Sequence, residues 1–186
     1  MPDEAPLIDA GSGLVPAADG WYVVNAREAA WIVNEGFGAR CTFDASPPAL
    51  RARDDLEPRV FKDLGHALAI LAPGERSGLY HSESKQESFL VLRGECLLLV
   101  EGEERRLREW DFVHCPPGTA HAFVGAGEEP CLIFMSGARG VDRQVHYPRS
   151  ELALRHGAGV ENETSSPQEA YAPFPHWLPG RPALPF

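Results

Sequence analysis

Residues 74–94 read GERSGLYHSESKQESFLVLRG, and residues 110–121 read WDFVHCPPGTAH. Both stretches set candidate metal ligands beside turn-forming residues. In an extended strand His81 and Glu83 point to the same face, because side chains alternate. Glu87 shares their parity, but a straight chain would carry it roughly 20 Å from His81 at about 3.3 Å per residue. A bend at Ser84, Lys85 and Gln86 would return Glu87 to a position opposite Glu83, where cross-strand Cβ atoms lie about 5 Å apart. The turn at Pro116, Pro117 and Gly118 can deliver His121 to the start of another inward-facing strand. Two neutral imidazoles and two carboxylates, from His81, Glu83, Glu87 and His121, would then surround one divalent ion with formal charges cancelling. The residues alone therefore point to a single-metal site inside a small β-barrel.

Working outward, short apolar β runs flank these stretches. They are His66 to Ala72, Phe89 to Leu92, Cys96 to Val100, Phe112 to Cys115, His121 to Val124 and Cys131 to Ser136. The second and third pivot on Arg93-Gly94, and Pro73-Gly74 and Pro116-Pro117-Gly118 stop others. Strands with a turn signal every eight to twelve residues indicate an antiparallel sandwich or barrel. The 18 Gly and 17 Pro of the 186 residues agree, being too many breakers for a helical bundle.

Upstream, residues 1–20 read as a loose acidic N-terminal arm. Tyr22 to Val24 and Ala39 to Phe43 are β-type pieces around a stretch that could hold a helical turn, and 44–65 read as a long surface connection. The barrel domain spans 21–147. A helical and proline-rich arm occupies 148–186. Within it Ser150 can cap a short helix ending at Gly157, and Ser166-Pro167-Gln168-Glu169 matches a capping box. Tyr171, Phe174, Trp177 and Phe186 among the late prolines suggest an arm packed on its own or a neighbouring subunit rather than free linker.

The formal charge of −10 argues against binding a phosphate backbone or an anionic lipid surface, both of which need clustered Lys and Arg. Nucleic acid and membrane are therefore not expected partners. The acidic first residues lack a secretory signal and no apolar run spans a bilayer, so the expected location is cytoplasmic. Cys41, Cys96, Cys115 and Cys131 have no CxxC spacing and read as small buried apolar side chains.

The two quoted stretches resemble the paired motifs of the cupin superfamily, of the small single-domain, conserved-barrel type. His81, Glu87 and Gly94 match the first motif at its spacing; Pro116, Gly118 and His121 match the second. The resemblance covers about residues 66–136. It implies an all-β double-stranded β-helix, or jelly-roll, barrel with short helical segments and extended terminal arms, holding one divalent transition metal (Zn, Fe, Mn or Ni) inside. It also implies a homodimer whose terminal segments cross between subunits. The sequence departs from the pattern at Glu83, which stands where a second His is expected, at Gly74, one residue early, at Trp110 for a Gly and at Gly125 for an Asn. The metal set becomes His81, Glu83, Glu87 and His121, with Glu83 as ligand or general base. A different alignment leaves His81, Glu87 and His121 as a three-ligand, open site.

Other residues read more plainly. Phe89, Val91, Leu97 and Leu99 are barrel filling; His114 is a packing residue; Trp110 is a packing lid or a ligand contact; the charge run 101–108 is a solvated hairpin. A fold of this kind does not name a reaction. The expectation is a metal-dependent oxygenase or isomerase acting on a small, anionic or sugar-like metabolite. The alternative is a non-enzymatic ligand-binding or regulatory protein in which the metal is structural or absent. No helix-turn-helix segment accompanies the barrel, which disfavours a transcription regulator.

Overall fold

The computed structural model describes residues 1–51 and 53–185, so Phe186 of the expected aromatic arm lies outside the described residues. Near the N-terminus β1 (Leu7–Asp9) and β2 (Leu14–Pro16) pair as a hairpin, followed by β3 (Trp31–Asn34) and β4 (Gly38–Cys41). The central run is β5 (Leu64–Leu71), β6 (Ser82–Glu83), β7 (Glu87–Arg93), β8 (Glu95–Val100), β9 (Glu103–Arg108), β10 (Phe112–Cys115), β11 (His121–Ala126) and β12 (Cys131–Ala138). The tail holds β13 (Val145–His146), α1 (Glu151–Arg155), α2 (Pro167–Tyr171) and β14 (Leu178–Pro179). Both helices start where their caps predict: Ser150 and Ser166 accept backbone N–H groups of Ala153 and Glu169.

Seven strands form one sheet in the order β10-β7-β12-β5-β4-β3-β14, and three form a second in the order β11-β8-β9. The sheets are held face to face by apolar side chains from both, with Leu71, Phe89, Val91 and Ile133 of the large sheet meeting Cys96, Leu98 and Phe123 of the small one. Burying each large side chain of this kind contributes about 1.5–3 kcal/mol. All four cysteines are buried and free, as their scattered spacing predicts. The sheet-rich fold matches expectation, but the barrel is not closed. The proline- and glycine-bearing connection between β5 and β6 meets β11 through isolated bridges, Arg76 with Val124 and His81 with His121.

Four readings need correction. The bend at 84–86 does not set Glu87 opposite Glu83: β6 pairs with β13, while β7 pairs with β10 and β12. Leu97 and Leu99 do not fill the interior. They pack on the outer face of the small sheet with Ala153 and Ala158, because β8 is apolar on both faces and offers no alternation to read. Residues 44–50 are not a surface connection, since Asp44, Ala45, Ser46, Ala49 and Leu50 are buried. Tyr22 to Val24 forms no strand.

The C-terminal arm folds back on its own chain. Phe37 collects the rings of Tyr171, Phe174 and Trp177 at 5.6, 5.2 and 6.4 Å between centroids, and β14 pairs with β3. Two backbone positions depart from the family motif. Trp110 takes φ of 72° at the turn where a glycine is expected, and its side chain is exposed. Gly125 lies so close to the turn after β5 that a Cβ there would sit 2.2 Å from the Ala72 carbonyl oxygen. Among the described residues no helix is long and apolar enough to cross a membrane.

Candidate metal centre

His81 and His121 exchange both backbone hydrogen bonds, at 3.1 and 2.9 Å, which makes them directly opposed neighbours. Their rings lie side by side with centroids 5.2 Å apart. The Pro116–Gly118 turn sets His121 at the first position of β11, and Gly118 takes φ of 88° while its N–H donates to the Glu83 carbonyl. Glu87 opens β7 and reaches the same point from the large sheet, across from Gly137, which leaves room for it.

Each ring is held by a backbone carbonyl. His81 Nδ1 is 2.7 Å from the Leu79 oxygen and His121 Nδ1 is 3.1 Å from the Thr119 oxygen. A carbonyl can only accept, so Nδ1 carries the hydrogen and Nε2 presents a lone pair. One ligand atom from each of His81, Glu87 and His121 lies within 4.8 Å of the others. His121 Nε2 faces Glu87 Oε2 at 3.5 Å, and His81 Nε2 faces Glu83 Oε1 at 3.6 Å. Electron pairs facing across such gaps call for a proton or a cation between them. The donor set therefore fits a divalent transition metal.

Glu83, expected as fourth ligand or general base, is gripped instead by Arg143 through both Nε and an Nη. Burial opposes its ionisation, but the hydrogen bonds from Arg143 outweigh that and hold the Glu83 carboxyl down to about 2. Burial, aided by the Glu83 charge, pushes the Glu87 carboxyl up to about 7. Burial and then the His81 charge push His121 down to about 4 and keep its ring neutral. Burial also works against a charged His81, yet Glu83, Glu87 and the Leu79 carbonyl together raise its pKa.

The cluster sits in a cavity of about 820 Å³ between the sheets and the C-terminal arm. Phe89 forms part of its wall, edge-on to His121 at 5.1 Å, so it touches the site as well as the core. Arg40, Arg143 and Tyr171 also line it and were not foreseen. Arg40 had a readable signal, a lone charge between Ala39 and Cys41 in a strand whose neighbours are buried. Arg143 had none, because its partner stands 60 residues away. Trp110 and His114 are exposed and do not line this cavity, and Lys85 pairs with Asp142.

Residues 67–137 match the cupin domain family, which supports membership of the cupin superfamily. An uncharacterised protein of Methanocaldococcus jannaschii is 26% identical over 83 residues, which is 44% of this chain and 66% of that protein. A putative sugar phosphate isomerase from Acidithiobacillus ferrooxidans is 24% identical, with a TM-score of 0.45 over 58% of this chain and 64% of that one. KdgF from Halomonas sp. is 21% identical, with a TM-score of 0.47 over 63% of this chain and 95% of its own. The chain thus spans just under two thirds of the first two of these proteins.

Proposed function

We propose that this chain is a metal-dependent cupin enzyme in which His81, Glu87 and His121 hold one divalent transition metal and the cavity receives a small metabolite. The observation that carries the reading is the pair of carbonyl-pinned imidazoles, whose Nε2 atoms converge with Glu87. Three protein ligands of this kind leave coordination positions for substrate, as catalytic sites do and closed structural sites do not. A cavity of about 820 Å³ is far larger than an ion needs, which supports ligand access over a purely structural role.

When bound, the ion supplies Lewis-acid polarisation of a substrate oxygen. The protein's part is positioning. Leu79 and Thr119 fix the two rings, Phe89 closes one side against water, and Arg143 presents its guanidinium to the cavity under the hold of Glu83. With its carboxyl held down to about 2, Glu83 is too weak a base for proton abstraction near neutral pH and serves as the carboxylate that orients Arg143.

Elemental analysis of protein purified without chelator tests the reading. About one transition metal per chain is expected, and His121→Ala should lose most of it. Wild-type protein without stoichiometric metal, or undiminished metal in His121→Ala, would overturn it.

A further inference from the structure

The cavity wall carries an unneutralised cation inside an acidic protein. Of the other arginines that line it, Arg51 is exposed to solvent, Arg143 is paired with Glu83, and Arg139 with Asp44 at 3.2 Å. Arg40 forms no ion pair among the described residues. One Nη donates to the Ser77 carbonyl at 2.5 Å, the guanidinium carbon lies 5.4 Å from the centre of the Trp177 ring, and Nε is buried with no hydrogen-bond partner. A guanidinium offers five N–H donors in a fixed fork, so most of this one is unused. Burial works against its charge, while Tyr171 and then Glu87, itself one of the three clustered ligands, favour it.

Tyr171 lies on the same wall. Its oxygen accepts the Leu79 N–H at 3.0 Å, while among the described residues its own hydrogen donates to no acceptor. Arg40 and Tyr171 therefore present idle donors to one cavity. With two neutral imidazoles, one carboxylate, a divalent ion and Arg40, the loaded site carries net positive charge, since the Glu83–Arg143 and Asp44–Arg139 pairs cancel. A buried cation with no counter-charge is costly, and an oxyanion taking charge-assisted hydrogen bonds from the fork would remove that cost.

We propose that Arg40, with the Tyr171 hydroxyl, anchors the oxyanion end of the substrate, so that this site takes a small carboxylate- or phosphate-bearing metabolite whose other end faces His81, Glu87 and His121. The substrate assignment rests on the metal-site reading above, but the anion site itself does not need the metal.

The test uses the full chain, metal-free and zinc-loaded, titrated calorimetrically and by tryptophan fluorescence with inorganic phosphate and, separately, acetate as probes. Saturable binding of at least one probe is expected, with a fluorescence change that Trp177→Phe removes. Arg40→Gln should weaken binding by about tenfold or more. Because Arg40→Gln removes a buried contact, a second measurement works on the wild type. Phenylglyoxal labelling followed by peptide mass spectrometry should find Arg40 protected by the bound anion and the exposed Arg93, which lies outside this cavity, not.

Equal affinity in wild type and Arg40→Gln, no saturable binding of either probe, or no protection of Arg40 would overturn the proposal. The metal reading fails separately. Arg40-dependent anion binding by a protein that takes no zinc would leave the anion site standing, whereas zinc binding without an anion site would do the reverse.

Discussion

The hydroxyl oxygen of Tyr171, in the C-terminal arm, accepts the backbone N–H of Leu79 at 3.0 Å. The carbonyl of that same Leu79 receives the Nδ1 hydrogen of His81 at 2.7 Å. A residue 92 positions downstream thus holds the residue whose carbonyl fixes a candidate ligand's tautomer. Partners of this kind are typically worth 10- to 100-fold in metal affinity. Tyr171→Phe is expected to weaken zinc binding by about tenfold while keeping the fold, as the lost hydroxyl leaves the ring packed on Phe37. Competition against a chelating dye measures this, and an unchanged affinity would show that the arm does not support the site.

The Glu83–Arg143 pair makes the two acidic residues separable. Glu83→Gln is expected to retain metal at wild-type stoichiometry, since its carboxylate already answers to Arg143. Glu87→Gln should lose most of the metal. Elemental analysis of both variants decides, and metal loss in Glu83→Gln would restore Glu83 as a ligand.

Trp110 places a bulky side chain at φ 72°, where the left-handed backbone costs a residue with a Cβ about 1–2 kcal/mol. Its indole is exposed, so removing it sacrifices little packing. Trp110→Gly should therefore be more stable than Trp110→Ala by about 1 kcal/mol, allowing for the greater freedom of glycine in the unfolded chain. Denaturant unfolding of the two variants measures the difference, and equal stabilities would remove backbone strain from the account of this turn.

Tyr22 sets a limit at high pH. Its hydroxyl donates to the Phe43 carbonyl at 2.6 Å, and burial, then Asp44 and Cys41, pushes its pKa from 10 up to about 12. The folded state holds this proton more tightly than the unfolded chain does. The contribution is therefore whole below pH 10 and is lost as pH rises through 12. Tyr22→Phe should lose less stability than wild type between those values, even though it starts lower for want of the hydrogen bond. Thermal melts at several alkaline pH values check the slope, and parallel slopes would exclude Tyr22 from it.

Much of this molecule was readable because its signals are local. Alternation and turn residues placed β7 to β12 within a few positions, and Gly94 and Gly118 marked real turns with positive φ. The side-chain oxygens of Ser150 and Ser166 announced their helices. What failed was long-range pairing. Which strand lies beside β6 depends on β13, more than sixty residues on, and nothing in Ser84 to Gln86 encodes that. The same distance hid Arg143 behind Glu83, so a carboxylate with a charge partner was mistaken for a free one. Both faces of β8 being apolar erased the cue that would have turned Leu97 and Leu99 outward.

Gly125 carries a consequence for how this sequence can change. It stands where the cupin motif has asparagine, and a Cβ there would meet the Ala72 carbonyl at 2.2 Å, while the Gly125 N–H and carbonyl are tied to Glu75 and Gly74. The two segments therefore constrain one another. An asparagine introduced at 125 by a single substitution is driven into main chain that cannot yield without breaking those ties. Residues 72–75 must be rebuilt before position 125 can take a side chain, so the order of substitutions matters.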